Sequence, residues 1–199
     1  MNGNLMKRLG VGLPILVGGV ASVWMGACRM QPLGDRPAVA MGLDGSSADS
    51  GLYFPRIDSK DLNGDAITLP DDLAGNPALV LVAFKQRQQV NVNTWLDELG
   101  AIESGIEGVR VIETPTISGQ KWGWMAGFID NGMRSGIPDV EARARTITLF
   151  TDVGAFRGAL GLESVDTIYG VLLDESSRVV EVVEGDFSEE KLGRLIDAQ

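Results

Sequence analysis

The stretch "LVLVAFKQRQQVNVNTW", Leu79 to Trp95, decides how this chain folds. Together with Ala78, its first half is continuously apolar through Phe84, as expected of a strand buried on both faces. The apolar run stops at a polar turn, Lys85-Gln86-Arg87-Gln88-Gln89. Beyond it, Leu96, Leu99 and Ile102 recur at helical spacing and predict a helix over Asn93 to Ile106, capped by Asn93 or Thr94. "VRVIE", Val109 to Glu113, is then a second strand. A strand, helix and strand in this order form a parallel unit whose crossover is right-handed.

On the amino-terminal side, Asn63-Gly64 is a strong two-residue turn signal between short segments that pair as a hairpin. The same stretch has some acidic spacing of a calcium loop. Its glycine is fourth rather than sixth, however, and the hairpin reading prevails. On the carboxyl-terminal side, "KWGWMAGFIDNGMRSG" predicts a helix, Thr146 to Phe150 a short strand, and "AFRGALGL" a short helix. Thr167 to Leu173 and Arg178 to Val183 predict an antiparallel hairpin. Ser188 caps a last helix that turns Leu192, Leu195 and Ile196 toward the core.

Composition narrows the chemistry. The chain has 199 residues, no histidine, one cysteine and a formal net charge of −10. The missing histidines remove the usual general base and the commonest zinc ligand, so neither a metal nor a cofactor is expected. The acidity disfavours a nucleic-acid partner, which needs a basic surface.

The lone cysteine, Cys28, closes an amino-terminal segment with the layout of a secretory signal. Lys7 and Arg8 precede an uncharged run from Leu9 to Ala27, which ends in "MGAC". This ending resembles the lipobox of bacterial lipoprotein signal peptides, with methionine where leucine is usual. The resemblance implies cleavage before Cys28, acylation of its sulfur, and a membrane anchored through lipid to a domain facing the periplasm or cell exterior. Removing residues 1–27 takes away two basic and no acidic residues, leaving 15 against 27 and a net charge of −12. The alternative, an uncleaved transmembrane helix, gives the same topology, because the positive flank stays cytoplasmic. Residues 28–52 are rich in Gly, Pro, Ser and Asp and read as a linker with a reach of roughly 25 to 30 Å. Residues 53–199 form the folded domain.

The order of its elements, a hairpin, a βαβ unit, a helical segment, a second hairpin and a closing helix, resembles that of thioredoxin-like domains. The implied architecture is a central mixed sheet flanked by helices, with an amino-terminal β-hairpin. From about Phe54 to Leu195 there is also a loose similarity to the thioredoxin-like family of mitochondrial ATP synthase assembly factors. It rests on the "FP…G…LPDDL" opening, Trp95 in "VNTWLDEL", "MRSGIP" and "ALGLESVDTIYGVLLDESSRV". That family implies an assembly role on the matrix side, opposite to the topology read from the amino terminus.

In redox-active thioredoxin-like proteins the turn after the first central strand carries cysteine, and a cis-proline precedes the penultimate strand. Here these places hold Lys85 to Gln89 and Val165-Asp166-Thr167. Thiol–disulfide exchange and peroxide reduction lack their reacting atoms. The expectation is a binding scaffold for a protein partner, with Lys85, Arg87, Gln88, Trp122 and Trp124 as candidate contacts. Two further readings are a small anionic ligand at Lys85 and Arg87, and a serine acyl-transfer hydrolase using Ser118 and Lys121 of "SGQK".

Overall fold

The computed structural model describes residues 51–119 and 126–199, except for the side chain of Phe128. Among the described residues, seven strands and six α-helices follow one another: β1 (Ile57–Lys60), β2 (Ala66–Leu69), β3 (Ala78–Ala83), α1 (Gln89–Leu96), α2 (Leu99–Gly105), β4 (Arg110–Ser118), α3 (Ala126–Gly136), α4 (Val140–Ala144), β5 (Leu149–Thr151), α5 (Val153–Leu160), β6 (Tyr169–Leu173), β7 (Val179–Glu184) and α6 (Glu189–Asp197). Five strands make one mixed sheet in the order β5-β4-β3-β6-β7. β3 runs parallel to β4 and antiparallel to β6, with Val80 opposite both Ile112 and Val171.

Every residue of β3 is buried, as its unbroken apolar run requires. Alternate side chains feed two cores. Val80 and Val82 pack with Phe54, Leu69, Phe156 and Leu160 on the side of the β1–β2 hairpin and α5. Leu79 and Leu81 pack on the opposite side with Trp95, Ile102, Ile106 and Leu195 from α1, α2 and α6.

The hairpin turn confirms the Asn-Gly signal. One oxygen of Asp61 accepts from the backbone of Asn63, Gly64 and Asp65 at 2.9, 2.8 and 2.9 Å, and Gly64 takes φ +101°. That oxygen is consumed in holding the turn.

The helix expected from Asn93 to Ile106 differs in two ways. It starts earlier, at Gln89, and it breaks at Asp97-Glu98 into α1 and α2. Trp95 explains the break: its ring is fully buried, meets Phe187 edge to face at 5.2 Å, and its indole N–H donates to the Gly185 carbonyl at 3.0 Å. Fixing this side chain sets α1 by its own contacts, and α2 then turns to bury Ile102. Helix α4 was not expected. It is five residues without an apolar stripe, held by Asp139, whose carboxylate accepts from the backbone of Glu141 and Ala142. Ile196, expected in the core, lies at its rim and is 38% exposed.

Ser59 of β1 donates to the Thr148 carbonyl beside β5. On the other side the β6–β7 pairing shifts register between Leu172 and Leu173, and Arg194 bonds the Glu181 side chain and the Val182 carbonyl of β7. Among the described residues no helix is long and apolar enough to cross a membrane. Cys28, the signal segment and the linker lie outside the described residues.

Candidate functional site

β3 delivers the chain to the carboxyl end of the sheet at Phe84, where the apolar run gives way to Lys85. A 3-10 turn over Gln86–Gln88 leads directly into α1. Gln88 is not at the surface, as a polar turn would suggest: it is 2% exposed. Its carbonyl oxygen accepts from the backbone N–H groups of Phe84 and Lys85 at 2.8 and 2.9 Å. Its amide nitrogen donates to the carbonyls of Val165 and Thr167 at 2.9 and 3.1 Å. Two N–H groups on one side and two carbonyls on the other admit only this orientation of the amide. Gln88 thereby bolts the turn after β3 to the loop before β6, and its polar atoms are spent in doing so. The peptide bonds of that loop are trans.

Above this clamp lies a charged surface. The Lys85 ammonium bonds one carboxylate oxygen of Asp166, and a guanidinium nitrogen of Arg87 lies 3.6 Å from the same oxygen. The hydrogen bond from Lys85, then the Lys85 charge and to a smaller extent that of Arg87, hold the Asp166 carboxyl below its usual range. The cations proposed as an anion site are therefore already engaged by an anion of the chain itself. Beside them Val90 is 67% exposed, more than any other large apolar side chain among the described residues.

Beneath the turn, the Gln89 side chain donates to Glu113 at 3.1 Å, and the Thr146 hydroxyl donates to the other Glu113 oxygen. Glu113 is only 5% exposed. It was missed in the sequence because one acid ending an apolar strand looks like a strand terminus, whereas β4 continues five residues further. Asn91 and Thr94 pin α1 to the segment after β7, through Asp186 at 2.6 Å and Phe187 at 2.9 Å.

The remaining candidates are not brought to this turn. Ser118 ends β4, paired with Thr151 of β5. Its proposed partner Lys121, and both Trp122 and Trp124, lie outside the described residues. Among the described residues no three acidic, cysteine or histidine side chains converge as a metal site would require.

The architecture has clear counterparts among solved structures. The pneumococcal exposed lipoprotein thioredoxin from Streptococcus pneumoniae superposes over 73% of this chain and 100% of its own, with TM-score 0.51 and 12% identity. A putative electron transfer protein from Aquifex aeolicus superposes over 74% and 92%, with TM-score 0.52 and 13% identity. The fold is thioredoxin-like. A structure of a putative electron transport protein from Aquifex aeolicus likewise covers 75% of this chain and 99% of its own, at TM-score 0.52 and 14% identity. These identities carry the thioredoxin-like fold and nothing about activity. No protein-family model and no curated protein sequence matches the chain.

Proposed function

We propose that this protein is a lipid-anchored, extracytoplasmic thioredoxin-like module that performs no thiol or peroxide chemistry and binds a protein partner. The observation that carries this reading is Gln88. At the turn where a redox thiol would stand, a buried amide satisfies four backbone groups and has no reactive atom, while the only cysteine of the chain is Cys28, ahead of the domain. Thiolate chemistry has no atom to act through in residues 51–199. The surface left above the clamp, Lys85, Arg87, Asp166 and Val90, is the contact this reading assigns to the partner.

The "MGAC" segment supports the anchor, and a thioredoxin-like fold joined to a lipoprotein finds a precedent in the pneumococcal protein named above. The test has two arms. Metabolic labelling with an alkynyl fatty acid is expected to mark the wild type and not Cys28→Ala, which accumulates as precursor. Purified protein is expected to leave insulin disulfides and hydrogen peroxide unreduced. Equal labelling of both proteins would refute the anchor, and reduction above background would refute the redox-inactive reading.

A further inference from the structure

What kind of partner the face above the Gln88 clamp can take is set by which of its groups are still free. An extended segment would dock by adding a strand to the loop before β6, which needs straight backbone with N–H and C=O groups to share. This loop offers little of either. It bends through Val165, Asp166 and Thr167. The Val165 and Thr167 carbonyls accept from Gln88, the Asp166 N–H donates to the Ser164 hydroxyl at 3.0 Å, and the Ile168 carbonyl accepts from the Gly185 N–H at 2.9 Å. Across the clamp, the Phe84 and Lys85 N–H groups are spent on the Gln88 side chain, and the Lys85 carbonyl accepts from the Gln88 N–H at 2.9 Å.

Recognition then falls to side chains. Val90 follows Arg87 by three positions along the turn and α1, so the two are neighbours on one face. The residues on either side of Val90 are held by the chain itself: Gln89 donates to Glu113, and Asn91 to Asp186. An apolar side chain in such a fixed frame loses little freedom when it is covered. At the rim, Lys85 and Arg87 stand against the single carboxylate of Asp166, an excess of one positive charge on a chain of net charge −10.

We propose that the partner is a folded protein, which buries Val90 in an apolar pocket and sets a carboxylate at the rim beside Arg87, and that it adds no strand to the loop before β6. This inference rests on the protein-binding reading above and specifies the partner of that same face. A charge at the rim of an interface tunes association, whereas the apolar centre holds the complex. Val90 is therefore the principal contact and Arg87 the accessory one, and a probe standing in place of Arg87 still reports the contact.

The test is photocrosslinking in membranes of the native host, with a photoreactive side chain in place of Gln86, which is exposed beside Arg87. Adduct yield is expected to fall at least about tenfold with Val90→Asp, which would carry a charge into the pocket. Arg87→Gln is expected to lower it about two- to fivefold, the range of an exposed ion pair, and Arg87→Lys to restore most of the loss. Ser164→Ala frees the Asp166 N–H and is expected to leave the yield within about twofold, since no strand is added there. The labelled segment of the partner is expected to resist trypsin in membranes of a strain lacking this protein, as folded segments do. Absence of any adduct with the face otherwise unchanged would overturn the protein-binding reading and this inference with it. A discrete adduct that maps to a trypsin-sensitive segment, survives Val90→Asp, is unmoved by Arg87→Gln or gains several-fold from Ser164→Ala would overturn the inference and leave that reading standing.

Discussion

The side-chain amide of Gln88 and the backbone carbonyl of Val165, 77 positions apart in the chain, are joined by a 2.9 Å hydrogen bond. This contact, with its three companions, locks the turn after β3 to the loop before β6. It makes the turn a fixed platform. The platform holds the Lys85–Asp166 pair on its outer side, so the rigidity of the inner contact sets the shape of the surface.

Replacing Gln88 should therefore cost stability, and replacing its charged neighbours should not. Gln88→Ala strands two buried N–H groups and two carbonyls, and a loss of about 2–4 kcal/mol is expected. Gln88→Glu should be at least as harmful, because it aims a carboxylate at the Val165 and Thr167 carbonyls. Arg87→Ala, at an exposed ion pair, should change stability by less than about 1 kcal/mol. Urea unfolding of the three variants checks the order.

Two carboxyls give opposite pH signatures. The folded-state value of Asp166 is lowered by Lys85, so its small contribution is present above the unfolded value and lost as pH falls through the folded one. Asp130 is raised by burial, so its contribution is complete below the unfolded value and lost as pH rises through the folded one. Asp130→Asn should accordingly raise the melting temperature at neutral pH, with the gain disappearing in acid. In carboxyl-resolved NMR titrations, Lys85→Ala should move the Asp166 midpoint upward and leave that of Asp130 in place.

Two glycines should respond in opposite directions. A Cβ on Gly170 of β6 would sit 3.0 Å from Val183 and 3.4 Å from Leu79, in the core on the α1 side. Gly170→Ala should cost about 1–3 kcal/mol through overpacking. Gly193 in α6 has nothing within 4 Å of such an atom, and Gly193→Ala should gain about 0.5–1 kcal/mol from helix propensity. Thermal melts of the two variants should bracket the wild type.

Much of this fold was legible because apolar periodicity is strong where the sheet is buried. Ala78 to Phe84 could hardly be anything but a central strand, and Asn63-Gly64 marked the hairpin by backbone conformation alone. What failed was whatever depended on tertiary partners. The helix start at Gln89 and the break after Leu96 follow from Gln88 and Trp95, whose bonds reach Val165, Thr167 and Gly185 across the fold. Gln88 looked like surface for the same reason: in sequence it stands in a polar turn, and nothing local shows that two carbonyls from another loop will meet it. Asp130 stands in the helix predicted from "KWGWMAGFIDNGMRSG", and nothing local to the sequence shows that one of its oxygens will be buried. At the candidate site, Lys85 and Arg87 were found by position, whereas Asp166, which neutralises them, was noted only as the residue standing where a proline was missing.

The central claim is that the face above the Gln88 clamp binds a protein. Its most direct measurement is site-specific photocrosslinking in intact membranes of the native host. A photoreactive side chain replaces Arg87 in one strain and Glu175, at the opposite end of the sheet, in another. One discrete protein adduct is expected from position 87, absent from position 175 and lost when Val90→Asp is introduced alongside it. The same adducts from both positions, or none from position 87 in correctly anchored protein, would contradict it.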